Sequence, residues 1–179
     1  MALQGSRKDE RMVTGLFRDR ESAERAYAAL PSRGYGRDDV NIAMSDETRK
    51  RYFPADATVT TELGNKAAEG AGVGGAIGGT IGAIAGALAA VGTSIAIPGL
   101  GLVIAGPAAA AIAGAGAGGL SGGLLGALIG WGIPEERVKH YESGIKEGGI
   151  LMGVRPRSDE DAEYIEREWR NNHGEHVYR

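Results

Sequence analysis

The sequence predicts an α/β (α+β-like) protein: a small three-stranded sheet with helices, split by a long glycine-zipper helical hairpin. Three observations lead there. Two charged flanks carry strand-like alternation and helix-like spacing of apolar residues. Between Glu69 and Glu135 run 65 residues without a charge, holding 21 of the 31 glycines. Within that run, glycines recur four residues apart.

The first flank opens with a strand at 12–17 (MVTGLF). Ala23, Ala26, Tyr27 and Leu30 then repeat at helical spacing, and Pro31 and Gly34 stop the helix. Val40, Ile42 and Met44 alternate with other residues as in a half-buried strand, completing a β-α-β unit of the kind that normally gives a parallel pair. In the second flank, Pro134 suits a first helical turn, with Glu135 and Glu136 beside the positive end of the helix dipole. Val138, Tyr141 and Ile145 form the stripe to be buried, and Gly148 and Gly149 end that helix. A third strand covers ILMGVRP (150–156). Ser158 with Asp161 reads as a capping box before a last helix, whose buried side is Ala162, Ile165 and Trp169. Neither flank can bury a good core alone, so 11–45 and 134–170 are expected to fold as one split domain. Residues 1–10 are expected to be disordered, 46–65 a polar linker with a possible edge strand at 58–61, and 171–179 a polar tail.

The insert, 66–133, reads as two helices at about 67–92 and 107–131, joined by TSIAIPGLGLVIAG. Gly74, Gly78, Gly82 and Gly86 form one run; Gly114, Gly118, Gly122, Gly126 and Gly130 form the other. At that spacing each run is a helix face without side chains, which lets another backbone approach closely. So much glycine costs about 1 kcal/mol per residue against alanine in a helix, and close packing or a bilayer could offset it. Val73, Ile77, Ile81, Ile84, Leu88 and Val91 supply an apolar face to the first helix. At about 39 Å that helix is long enough for a hydrocarbon core of about 30 Å. Lys50, Arg51 and Lys66 precede the insert and Arg137, Lys139 and Lys146 follow it, while the connector carries no charge. The positive-inside tendency then places both flanks, and both termini, on the cytoplasmic side of the cytoplasmic membrane. Three readings stay open: a transmembrane hairpin, a re-entrant or interfacial hairpin, and the buried core of a soluble cytoplasmic assembly.

Several motifs carry no chemistry on inspection. GAGVGG (70–75) and GAGAGG (114–119) fit G-x-G-x-x-G, but neither follows a predicted strand and no acidic residue lies within the uncharged block to hold a ribose. His140, His173 and His176 include a C-terminal HGEH without a third ligand, and SDEDAE (158–163) is explained as helix-start chemistry. Tyr52 and Phe53, beside Arg49, Lys50 and Arg51, are candidates to touch lipid headgroups or simply to cap the domain. With 20 basic and 23 acidic residues interspersed, and a pI near 5.7, the chain lacks the basic face of a nucleic-acid binder. It has no cysteine, hence no disulfide, thiolate site or cysteine nucleophile. No catalytic residue, cofactor, metal or small-molecule substrate is expected.

The blocks VTGLFRDRESAERAYAAL, MSDETRKRYF, IPGLGLVIAGP, GIPEERVKHYESGIKEGGILMGV and SDEDAEYIEREW, in that order, resemble bacterial heat-induced general stress proteins with a glycine-zipper insert. The resemblance spans about residues 11–176 and implies a stress-responsive, non-enzymatic, membrane-associated protein. The expected partners are therefore membrane lipids and further copies of the chain, through the nine glycines of the two runs. A pore built from the oligomerised hairpin is an alternative, poorly served by a block whose hydroxyls are only Thr80, Thr93, Ser94 and Ser121.

Overall fold

Alternation along the strands explains how the sheet buries both faces. Val40, Ile42 and Met44 enter one apolar core, while their neighbour Ala43 enters a second. The same division holds for Val13 and Phe17 against Leu16, and for Ile150, Met152 and Val154 against Leu151. Side chains of period two thus serve opposite faces of one sheet. The computed structural model describes residues 12–53, 84, 94–97, 101–107, 109 and 123–179. In chain order the elements are β1 (Val13–Phe17), α1 (Arg20–Ala28), β2 (Val40–Ser45), α2 (Asp46–Tyr52), β3 (Ser94–Ile97), β4 (Leu102–Ala105), α3 (Gly123–Gly130), α4 (Glu135–Lys146), β5 (Ile150–Val154), α5 (Asp159–Asn171) and β6 (Glu175–Tyr178).

The sheet has six strands in the order β3-β4-β2-β5-β1-β6, not the three expected. Every neighbouring pair is antiparallel. β1 and β2 do run parallel across α1, but β5 lies between them and pairs with both, so the adjacent parallel pair expected from the β-α-β unit does not form. The run β6-β1-β5-β2, with α1 after β1 and α5 after β5, is the split β-α-β, or ferredoxin-like, arrangement. All residues from Asp46 to Gly149 are therefore inserted between two strands that lie side by side.

On one face, Ala23, Ala26, Tyr27 and Leu30 of the α1 segment pack with Ala162, Ile165 and Trp169 of α5, as their spacing predicts. On the other, Val138, Tyr141 and Ile145 of α4 cover Leu16 and Leu151. The close approach of α4 depends on Gly144, where an added Cβ would fall on the Leu16 side chain. The helix starts are capped by side chains. The Asp19 carboxylate accepts from Ser22 N at 2.8 Å, Ser45 Oγ from Thr48 N at 3.0 Å, and Ser158 Oγ from Asp161 N at 3.1 Å. The expected capping box is only half made, because the Asp161 carboxylate accepts from the Tyr35 hydroxyl at 2.7 Å instead. Pro134 sits one residue before α4, at its N-cap.

Two segments read as polar coil are ordered elements. The start of the linker is α2, and the tail contains β6, which pairs with β1. Residues 1–10 and the possible edge strand at 58–61 lie outside the described residues.

Candidate functional site

The natural candidate is the seam where the uncharged block meets the sheet, because among the described residues the block and the segment leading to it touch the domain at four separate places. The first is its approach. Arg20 donates from Nη1 to the Tyr52 carbonyl at 2.9 Å and lays its guanidinium 4.9 Å from the centre of the Phe53 ring. Phe53 is buried in the first core. Arg49 and Lys50 pair with Asp46, and Arg51 with Glu47. Phe53 is therefore an internal residue, whereas the Lys50 and Arg51 side chains are paired but exposed. Lys50 and Arg49 hold the Asp46 carboxyl below its usual range.

The second contact is Ile84, expected on the apolar face of a membrane-spanning helix. It is fully buried in the first core, and its backbone N–H donates to Glu24 Oε2 at 3.2 Å. Glu24 is itself buried, on α1, with Arg20 Nε 3.6 Å from Oε1. The buried carboxylate thus has a backbone donor on Oε2 and a cation near Oε1, which offset the cost of burying its charge.

The third contact overturns the transmembrane hairpin. Within the connector TSIAIPGLGLVIAG, β3 and β4 pair antiparallel, with Ile95 opposite Ile104. Its second strand, β4, pairs with β2 from Ile42↔Ala105 to Ser45↔Leu102. Asp46 N donates to the Gly101 carbonyl at 2.6 Å. A connector in the same sheet as both flanks cannot lie across a bilayer from them. Among the described residues, moreover, no helix is long and apolar enough to cross a membrane. The expectation of transmembrane helices is corrected accordingly, and the cytoplasmic-membrane location that rested on them loses that support. Gly106 closes this joint: its φ is +98°, and a Cβ there would fall on the Val40 carbonyl oxygen.

The fourth contact is α3, the described part of the expected second helix. Leu128 is buried, and Trp131 and Ile133 follow it into the second core. The opposite side of α3 carries Gly126, half-buried, with Ile129 and Gly130 exposed. Ile129 is 46% exposed, and a Cβ on Gly130 would meet nothing within 4 Å. Gly130 thus faces open space. Gly74, Gly78, Gly82, Gly86, Gly114, Gly118 and Gly122 lie outside the described residues.

Near the end of α3 a cleft of about 250 Å³ opens at one end of the sheet, between Met12, Asp38, Asn41, Pro107, Trp131 and Arg155. Trp131 forms part of its wall, and the indole Nε1–H is buried with no acceptor among the described residues, which costs about 1–3 kcal/mol. Among the described residues, no three His, Asp or Glu side chains are grouped to hold a metal ion. The acid cluster at 158–163 serves the α5 cap and its ion pairs, including Arg33 to Glu160 at 3.1 Å. No family model matches the chain, and no curated protein and no solved structure matches it either.

Proposed function

We propose that the protein is a non-enzymatic self-association module, in which the split domain holds the uncharged block and presents its glycine-lined helix face to a second copy. The observation that carries this reading is the face of α3 where Ile129 and Gly130 are exposed beside half-buried Gly126, opposite the anchoring Leu128. Covering a branched aliphatic side chain completely gains about 1.5–3 kcal/mol, and the neighbouring glycines leave room for a backbone to approach. In the sequence, the same four-residue spacing continues back through Gly122, Gly118 and Gly114. A stress-linked setting is supported by the resemblance of the sequence blocks to heat-induced general stress proteins.

Sedimentation velocity of the full chain tests the reading. The wild type should sediment as an oligomer whose mass rises with concentration. Ile129→Lys and Gly130→Leu should shift it toward the monomer, with circular dichroism unchanged and stability within about 0.5 kcal/mol. Gly78→Leu and Gly122→Leu extend the test along both runs. A wild type that is monomeric throughout, or an Ile129→Lys variant that assembles normally, would sink the proposal.

A further inference from the structure

The cleft beside Trp131 gathers residues from four strand ends and one helix end. Met12 precedes β1, Asn41 lies in β2, Pro107 follows β4 and Arg155 follows β5. Asp38 comes from the turn before β2, and Trp131 stands just beyond α3.

The end of α3 fixes the indole. Trp131 N donates to the Leu128 carbonyl at 3.1 Å, and Ile133 N returns to the same carbonyl at 3.3 Å. Gly132 between them has φ +84°, the left-handed residue that closes such a helix end. The ring then lies against β5 at Gly153, where an added Cβ would sit 3.5 Å from Cζ3. Cζ3 and Nε1 occupy opposite edges of an indole, so the N–H is turned away from the strand and toward the cleft. Trp131 is 2% exposed, and this N–H has no acceptor among the described residues. An acceptor atom entering the cleft would satisfy it.

The rim carries charge of both signs. Asp39 is engaged by Arg157 at 3.2 Å and by the Gly36 N–H at 2.8 Å. The Asp38 carboxylate is exposed and makes no hydrogen bond or ion pair with another described residue. Arg155 has contacts of its own, but a guanidinium has five donors to divide among them. Met12, Pro107 and the Trp131 ring supply apolar wall.

We propose that this cleft binds a small zwitterion, an α-amino acid with a short apolar side chain. Its carboxylate accepts from Trp131 Nε1 and Arg155, its ammonium faces Asp38, and its side chain lies against Met12 and Pro107. A volume of about 250 Å³ falls below the roughly 300–1,000 Å³ of sites for larger ligands, which limits the size. Every wall comes from one chain, so the site does not depend on self-association.

The test is a titration of the full chain followed by nitrogen–proton NMR at its two indoles. Trp169 is the internal reference, because its Nε1–H already donates to the Ala26 carbonyl at 3.3 Å. L-valine should move the Trp131 indole signal downfield, saturably, and leave that of Trp169 in place. Isovalerate, which lacks the ammonium, and isobutylamine, which lacks the carboxylate, should each bind about tenfold more weakly or worse. Asp38→Asn should weaken L-valine by about tenfold while leaving isovalerate unchanged, and Trp131→Phe should weaken both carboxylates by a similar factor. The proposal is overturned if L-valine gives no saturable shift at Trp131, or if isovalerate binds as tightly as L-valine. Wild-type affinity for L-valine in Asp38→Asn or in Trp131→Phe would overturn it equally.

Discussion

The charged flanks and the uncharged block differ in how they complete their packing. In the flanks every apolar stripe meets its counterpart within the chain: Val138, Tyr141 and Ile145 on one face of the sheet, Ala162, Ile165 and Trp169 on the other. The block divides. β4 is buried along its whole length inside the sheet, whereas α3 anchors Leu128 and leaves Ile129 exposed. Lack of charge therefore has two physical sources in one segment. LVIA is apolar because both sides of its strand are covered, as central strands require. The α3 face is apolar with nothing from the described chain upon it.

The largest way to break that contrast is at the joint of β4 with β2. Gly106→Val should lower unfolding free energy by about 2–4 kcal/mol in urea titrations, since it combines strain at positive φ with a clash on the Val40 carbonyl. Gly101→Ala sharpens the comparison. It also has positive φ, +58°, but faces open space, so only the backbone cost of about 1–2 kcal/mol applies. Equal effects would mean that β4 is not seated on β2.

A middle-sized effect is expected at the Ile84 contact. Glu24→Ala leaves a buried N–H without its acceptor and should cost about 1–3 kcal/mol, with hydrogen exchange at the Ile84 amide accelerated. Glu21→Ala, which removes an exposed pair with Arg25, should change stability by less than about 0.5 kcal/mol. If the Ile84 amide exchanges at the same rate in both variants, this anchor is not made.

The smallest effect belongs to the flanks, whose surface carboxylates titrate against native partners. Burial pushes the Asp19 carboxyl up, but two hydrogen bonds from Ser22 outweigh it and the net shift is downward. The Arg18 hydrogen bond lowers Glu147, and Lys50 lowers Asp46. A carboxyl depressed in the folded state stabilises above its unfolded pKa, and that contribution fades as pH falls through the folded value. Melting temperature should therefore decline below about pH 4. Asp19→Asn should melt lower at neutral pH and lose less on acidification. A parallel decline in both proteins would remove Asp19 from the account.

Local signals made α1, α4 and α5 legible, since each shows apolar spacing of three and four, with prolines and glycines at the ends. β1, β2 and β5 were legible as short apolar runs. Their order was not, because nothing within the β-α-β unit announces that a strand more than a hundred residues later will slip between its two strands. β4 was readable in principle: four apolar residues between Gly101 and Gly106 suit a strand covered on both faces, but the surrounding glycines favoured a membrane connector. β6 offers only Val177 as a buried apolar residue, and α2 has no apolar stripe, so neither rises above its polar surroundings. The four-residue spacing of Gly126 and Gly130 was visible in the sequence, whereas the exposure of Ile129 beside them depends on tertiary structure.

The central claim, that the middle of the uncharged block lies in the sheet of the flanks, is best tested by cysteine pairing in a chain that has no cysteine of its own. Ala43 and Ile104 are register partners in β2 and β4, and facing residues lie within the reach of a disulfide. Ala43→Cys with Ile104→Cys should form an intramolecular disulfide on mild oxidation. Ala43→Cys with Val103→Cys, whose side chains sit on opposite faces, should not. Failure of the first pair to close within one chain, or equal closure of both, would contradict the account.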